Sequence, residues 1–94
     1  MELLSLIASL VKPWRDSSPE EKTDVNNGLL LCPNHDKLFD LGYISFDENG
    51  KILISDQLDD KNRMWLNAVG TMKIQITDRN NFYLAYHRKY IFKA

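Results

Sequence analysis

The chain reads as an α+β protein with a small sheet, and three observations lead there. A β-branched apolar run opens the sequence, a second short apolar run follows Asn27-Gly28, and an Asn-Gly turn divides two more apolar runs. Between and after these runs lie segments with helix caps and helical spacing. The 94 residues leave room for one domain around one modest core. Its parts are a strand-strand-helix core over residues 1–42 and a hairpin with a C-terminal α/β extension over 43–94.

Taken in order, Leu3–Val11 is apolar, carries Ile7 and Val11, and runs up to Pro13, which suits a mostly buried strand. A helix competes for this stretch, because Leu3, Leu6, Ile7 and Leu10 also fit a 3.6-residue period. Lys12–Asn26 is a polar connection with one helical turn at Pro19–Lys22. Leu29–Cys32 forms the second strand. Asn34 is placed to cap a helix over His35–Leu41, Gly42 to end it in the left-handed region, and Leu38, Phe39 and Leu41 to form its inward stripe. Tyr43–Phe46 and Ile52–Ser55 flank Asp47-Glu48-Asn49-Gly50 as a hairpin. Asp59–Asn67 is expected to be helical and Met72–Thr77 to form a half-exposed strand. Asn80 or Asn81 is expected to cap a last helix over Phe82–Phe92, with Leu84, Ala85, Arg88 and Ile91 at helical spacings.

Composition excludes several classes of function. Twelve basic residues against thirteen acidic ones give a formal charge of −1, so nucleic acid cannot be held by bulk positive charge and only a local patch can serve. A lone cysteine, Cys32, excludes an internal disulfide and a four-cysteine zinc knuckle, and points to a reducing cytoplasmic setting. The apolar N-terminal stretch ends after eleven residues and carries Glu2 without a basic flank. It is too short for a membrane span and wrongly flanked for a signal peptide, so no membrane is expected.

Beyond these patterns, the string Ile7-Ala8-Ser9-Leu10-Val11-Lys12-Pro13-Trp14-Arg15, followed by Asn27-Gly28-Leu29-Leu30-Leu31-Cys32-Pro33-Asn34-His35-Asp36-Lys37-Leu38-Phe39-Asp40, closely resembles the HNH endonuclease family. The likeness is strongest to the bacterial branch associated with restriction enzymes. It continues through Gly42–Asp47 and reappears in Tyr83–Arg88. The resemblance implies a ββα-metal core that hydrolyses DNA phosphodiesters with a divalent cation, whether Mg, Mn, Ni or Zn. In the family, a histidine ending the first strand acts as general base on water. The middle asparagine fixes the loop that aims it, and a histidine on the helix holds the cation.

Carried over residue by residue, the resemblance makes Asn27 the orienter and His35 the metal ligand; one imidazole alone is a poor site, and Asp36 or Asp40 is a candidate to assist it. From the residues themselves, Trp14 beside Lys12 and Arg15, and Arg88 and Lys89 in a basic run with interleaved aromatics, are candidate nucleic-acid contacts. The base position departs from the pattern, because Leu10 stands there. Leucine accepts no proton, and loss of a general base typically removes about 10²–10⁴-fold of rate. The partner that the family often places just before the base is Ser9 here. Members usually carry an N-terminal half that this sequence lacks, so it resembles a truncated, degenerate form, inactive alone. The rival expectation is a non-catalytic module that binds DNA or protein and pairs with a second copy to cover an exposed strand edge.

Bland readings stand beside these. Asn27-Gly28 alone is a turn, and His35 at a helix start equally suits a hydrogen bond to the loop. Cys32 suits a small core residue, and Trp14 a loop aromatic closing over the core. The run Tyr86-His87-Arg88-Lys89-Tyr90 also suits a solvated face over packed rings. Asp56, Asp59 and Asp60 would repel a phosphate backbone locally.

Overall fold

Ser9 and Val11 are what the first strand turns inward: both are buried, while Leu6, Ile7 and Ala8 lie exposed. The computed structural model describes residues 6–61, 64 and 73–94. Within it, β1 (Ile7–Leu10) pairs antiparallel with β2 (Gly28–Leu31), Ile7 opposite Leu31 and Leu10 opposite Gly28. The described part of the N-terminal run is therefore a strand over Ile7–Leu10, as its β-branched content suggests, but it is less buried than its composition implied. A two-stranded ribbon has one face to bury, so Ala8 and Leu30 on the other face stay in water.

The connection holds α1 (Pro19–Lys22), the expected single turn. Ser18 caps it by accepting from the Glu21 N–H, and Glu21 returns the bond to the Ser18 N–H. Helix α2 (Pro33–Leu41) packs against both strands. Its N-cap is Cys32 and not Asn34, because Pro33 suits the first helical position, where no backbone donor is needed. The helix ends as expected at Gly42, φ 84°, where any β-carbon would also collide with the Ile91 carbonyl. Its buried residues are His35 and Phe39, one turn apart; Leu38 is only half-buried and Leu41 is exposed.

Strands β3 (Ile44–Phe46) and β4 (Ile52–Ile54) make the expected hairpin. The Asp47 carbonyl accepts from the Gly50 N–H at 2.9 Å, and only Gly50 has positive φ, so Asn49-Gly50 closes a four-residue turn instead of a two-residue one. The helix expected over Asp59–Asn67 falls for the most part outside the described residues. The strand expected at Met72–Thr77 reduces, among the described residues, to one bridge from Lys73 to Lys51 and a bond from the Ile74 N–H to the Gly50 carbonyl. The alternation still has meaning, since Ile74 and Ile76 pack on the core while Lys73, Gln75 and Thr77 face out.

The last helix, α3 (Asp78–Tyr86), starts four residues before the expected Phe82. Thr77 is its cap, and Asn80 completes a capping box by accepting from the Thr77 N–H. A π-helical stretch, His87–Ile91, extends it. His87 is buried there, its ring stacked on Phe39 with centroids 3.8 Å apart. A carbonyl only accepts, so Nε2 carries the proton and donates to the Phe39 carbonyl, and Nδ1 accepts from the Ser45 hydroxyl, both at 2.8 Å. One imidazole thus ties α2, β3 and the C-terminal helix together. Around it lie Val11, Leu31, Phe39, Ile44, Phe46 and Leu84. No described helix is long and apolar enough to cross a membrane.

Candidate active-site cleft

Asn27 closes a short 3-10 turn, Val25–Asn27, that feeds β2, and it is fully buried. Its side-chain carbonyl accepts from the Lys12 N–H at 2.8 Å. Its amide donates to the Glu21 carbonyl at 3.1 Å and to the Ser17 hydroxyl at 3.4 Å, and its own carbonyl accepts from the Val11 N–H at 3.1 Å. Four bonds from one residue hold the end of β1 against the polar loop. The same turn is anchored to α3: the Asp24 carboxylate accepts from the Tyr83 hydroxyl at 2.7 Å and from Arg79 at 3.0 Å. The Tyr83 hydroxyl, with the Asn26 N–H and Arg79, holds that carboxyl far below the usual carboxylate range.

The strand end held in this way carries Leu10, half-buried opposite Gly28. Its neighbour Ser9 points to the other face and donates its hydroxyl proton to Asp36 on α2. Asp40 lies one turn further along the helix. Burial, and then the Asp36 charge, raise the Asp40 carboxyl above its ordinary value. Ser9, Leu10, Asp36 and Asp40 all line a cleft of about 470 Å³, rimmed by Trp14 and Arg15.

His35 lies elsewhere. Its ring is buried on the core side of α2, Nδ1 is 2.8 Å from the Cys32 sulfur, and burial lowers its pKa. It does not line the cleft that takes in Asp36 and Asp40. Adjacent helical residues point about 100° apart; as α2 is docked on β1, the cleft receives the aspartate.

The expected phosphate contacts also divide. The Lys12 ammonium is bound to Glu21 at 2.9 and 3.2 Å and sits 4.9 Å above the Tyr86 ring. Arg88 donates to the Phe46 carbonyl at 2.8 Å and to Asn81 at 3.0 Å. Both, expected on a DNA-facing surface, are committed inside the fold. Trp14, Arg15 and Lys89 remain exposed.

Among the described residues, no three His, Cys, Asp or Glu side chains gather closely enough to hold a metal ion. What the cleft offers is two carboxylates and a hydroxyl. Such oxygen donors are the kind that a hard cation keeping much of its water, such as Mg²⁺, favours. The i, i+4 spacing of Asp36 and Asp40 is a signal that would have paired them, where the sequence alone offers either one as a helper to His35. Nothing in the sequence marked the Ser9–Asp36 bond or the His87 clamp.

Comparison with curated proteins gives no match. The sequence pattern of the family described as HNH endonuclease matches residues 5–47, which contain β1, α1, β2, α2 and β3. The part of the chain that builds the Asn27 staple and carries Ser9 and Asp36, residues 5–47, is thus similar to the HNH endonuclease family.

Proposed function

We propose that the chain is an HNH nuclease homologue that offers two carboxylates to a cation in its cleft, has leucine in place of the histidine base, and does not hydrolyse DNA alone. The observation that carries this reading is Leu10 at the end of β1, where the family has its histidine base, held in place by an intact Asn27 network. Of the other groups at the cleft, Asp36 and Asp40 are assigned to the cation in this reading, and both ring nitrogens of His87 are engaged, with Ser45 and the Phe39 carbonyl. Ser9 is not basic near neutrality, and its hydroxyl is engaged with Asp36. The ring of His35 is buried against Cys32, so its part in this reading is to pin the first turn of α2, and Asn27 acts as a positioning residue.

Asp36 and Asp40 would hold Mg²⁺ or Mn²⁺, which supplies positive charge against a DNA phosphate when bound. Arg15 at the rim adds a second positive charge. Strands β1 and β2 with α2 are the working unit, and the C-terminal helix supports it through His87 and Arg88. The relation to restriction-type enzymes and a cytoplasmic site of action, consistent with the lone thiol, belong to the same reading.

Calorimetric titration with Mg²⁺ and Mn²⁺, run beside a plasmid-nicking assay, tests it. Cation binding that is lost in Asp36→Asn, with no nicking by the natural chain, is expected. Nicking that His35→Ala abolishes would overturn it. A second reading, a non-catalytic module that pairs with another copy, is favoured by the exposed outer face of the β1–β2 ribbon, where Leu6 and Leu30 are 55% and 65% exposed and Val25 is exposed beside them. Light scattering that gives twice the 11.0 kDa chain mass would support it.

A further inference from the structure

Two segments that are 70 residues apart in sequence meet at the rim of the cleft. The Tyr86 hydroxyl donates to Asp16 at 2.9 Å, and this bond docks the 3-10 turn Trp14–Asp16 beside the C-terminal helix. One turn beyond Tyr86, the ring of Tyr90 packs on it at 4.6 Å between centroids. Trp14 and Tyr90 thus stand on the two segments that this bond brings together, a shelf of exposed rings with cations nearby. Trp14 is 63% exposed although Lys22 sits 4.3 Å from its ring centre, and Tyr90 is 61% exposed. Arg15 and Lys89 are exposed beside them, Lys89 being 5.3 Å from the Tyr90 ring. Trp14 and Arg15 from one segment, with His87 and Ile91 from the other, border the same cleft as Asp36 and Asp40.

We propose that this shelf binds unpaired nucleic acid, with bases stacking on Trp14 and Tyr90 and the backbone following Arg15 and Lys89. The proposal rests on the reading of the cleft as a nucleic-acid site and adds the strandedness of the ligand. Large exposed rings carry an unfavourable contact with water that a base relieves by stacking, and every base offers a π-face, so such a shelf is indifferent to sequence. In a duplex the base faces are already stacked on one another and only edges and phosphates are presented, so the rings would have nothing to cover them. The charge pattern agrees. Glu21 is paired with Lys12, while Arg15, 3.8 Å from Asp16, Lys22 on the Trp14 ring and Lys89 beside Tyr90 supply the cations at the two rings. A local cationic edge of this kind can act in a chain whose net charge is −1.

The test is fluorescence anisotropy with a labelled 12-nucleotide mixed-sequence single strand and the same strand annealed to its complement, at about 50 and 200 mM salt. The single strand is expected to bind at least about five-fold more tightly than the duplex, with Trp14→Ala and Tyr90→Ala each weakening it about ten-fold and Trp14→Phe restoring most of the loss. Arg15→Ala and Lys89→Ala should each flatten the salt dependence by about 0.7 in the log–log slope, as for one phosphate contact. Lys51→Ala, in the hairpin turn, should change nothing. These side chains are exposed, so circular dichroism is expected to show unchanged folding. Duplex binding as tight as single-strand binding, or single-strand binding indifferent to Trp14→Ala, overturns the shelf while leaving the cleft a nucleic-acid site. Binding of neither form at low salt overturns both.

Discussion

Two sides of the strand-end junction have kept different things. On the loop side, Asn27 makes every bond its buried side chain can usefully make, to Lys12, Ser17 and Glu21. On the strand side, the residue those bonds hold in place is Leu10, which can neither accept a proton nor bind a cation. The difference teaches that the positioning part of a catalytic arrangement and its reactive part answer to different demands. Asn27 closes buried backbone groups that would otherwise go unpaired, so it is needed for folding whether or not there is chemistry. A half-buried residue at a strand end carries no such duty.

The comparison can be broken most severely at Asn27. Asn27→Ala leaves the Lys12 N–H, the Ser17 hydroxyl and the Glu21 carbonyl short of a partner, and it should cost about 3 kcal/mol in urea unfolding. A loss under about 1 kcal/mol would mean that the staple is dispensable. By the same argument Leu10→Ala, at a half-exposed site, should cost only about 1 kcal/mol.

The clamp at His87 gives the next effect. Burial holds its pKa at about 4, against 6.5 for the free side chain, with the bond to the Phe39 carbonyl acting the other way. The unfolded chain therefore binds a proton between these two values that the folded chain refuses. Stability is full above pH 6.5 and falls as the pH drops toward 4, by about 3 kcal/mol in total. His87→Gln should lower stability at pH 7 and flatten this stretch of the pH profile. An unchanged slope in that variant would move the acid sensitivity to another group.

A smaller effect lies at Lys12. Its ion pair with Glu21 is partly shielded, each side chain being 19% exposed. Lys12→Met should cost about 1 kcal/mol or less, with the difference shrinking in high salt. It should leave nucleic-acid affinity nearly untouched, since the ammonium is turned onto Glu21. A large loss of affinity would return Lys12 to the binding surface.

Much of this architecture was legible in the sequence because local chemistry dictates it. Ser18-Pro19 with Glu21 specifies a capped turn, Gly42 a left-handed stop, and Asn49-Gly50 a hairpin. Where tertiary packing decides, sequence patterns ran out. Residues 35 and 36 are one step apart on a nine-residue helix, and only the docking of α2 on β1 determines that Asp36 meets Ser9 while His35 turns to Cys32. Lys12 and Arg88 look like surface cations in sequence. Their long stems let them reach partners at 9 and 42 positions' separation, which no local pattern reveals. His87 was seen as part of a basic run, and its burial depends on Phe39 and Ser45, far away in the chain.

Leu10 stands where the family has its histidine base, and Leu10→His probes the consequence of that replacement without an intermediary. Single-turnover cleavage of supercoiled DNA with Mn²⁺ should be undetectable for the natural chain and rise at least about 100-fold above background in the variant, with the gain lost again in Leu10→His combined with Asp36→Asn. Cleavage by the natural chain, or none by a folded, Mn²⁺-binding Leu10→His protein, would contradict that reading of Leu10.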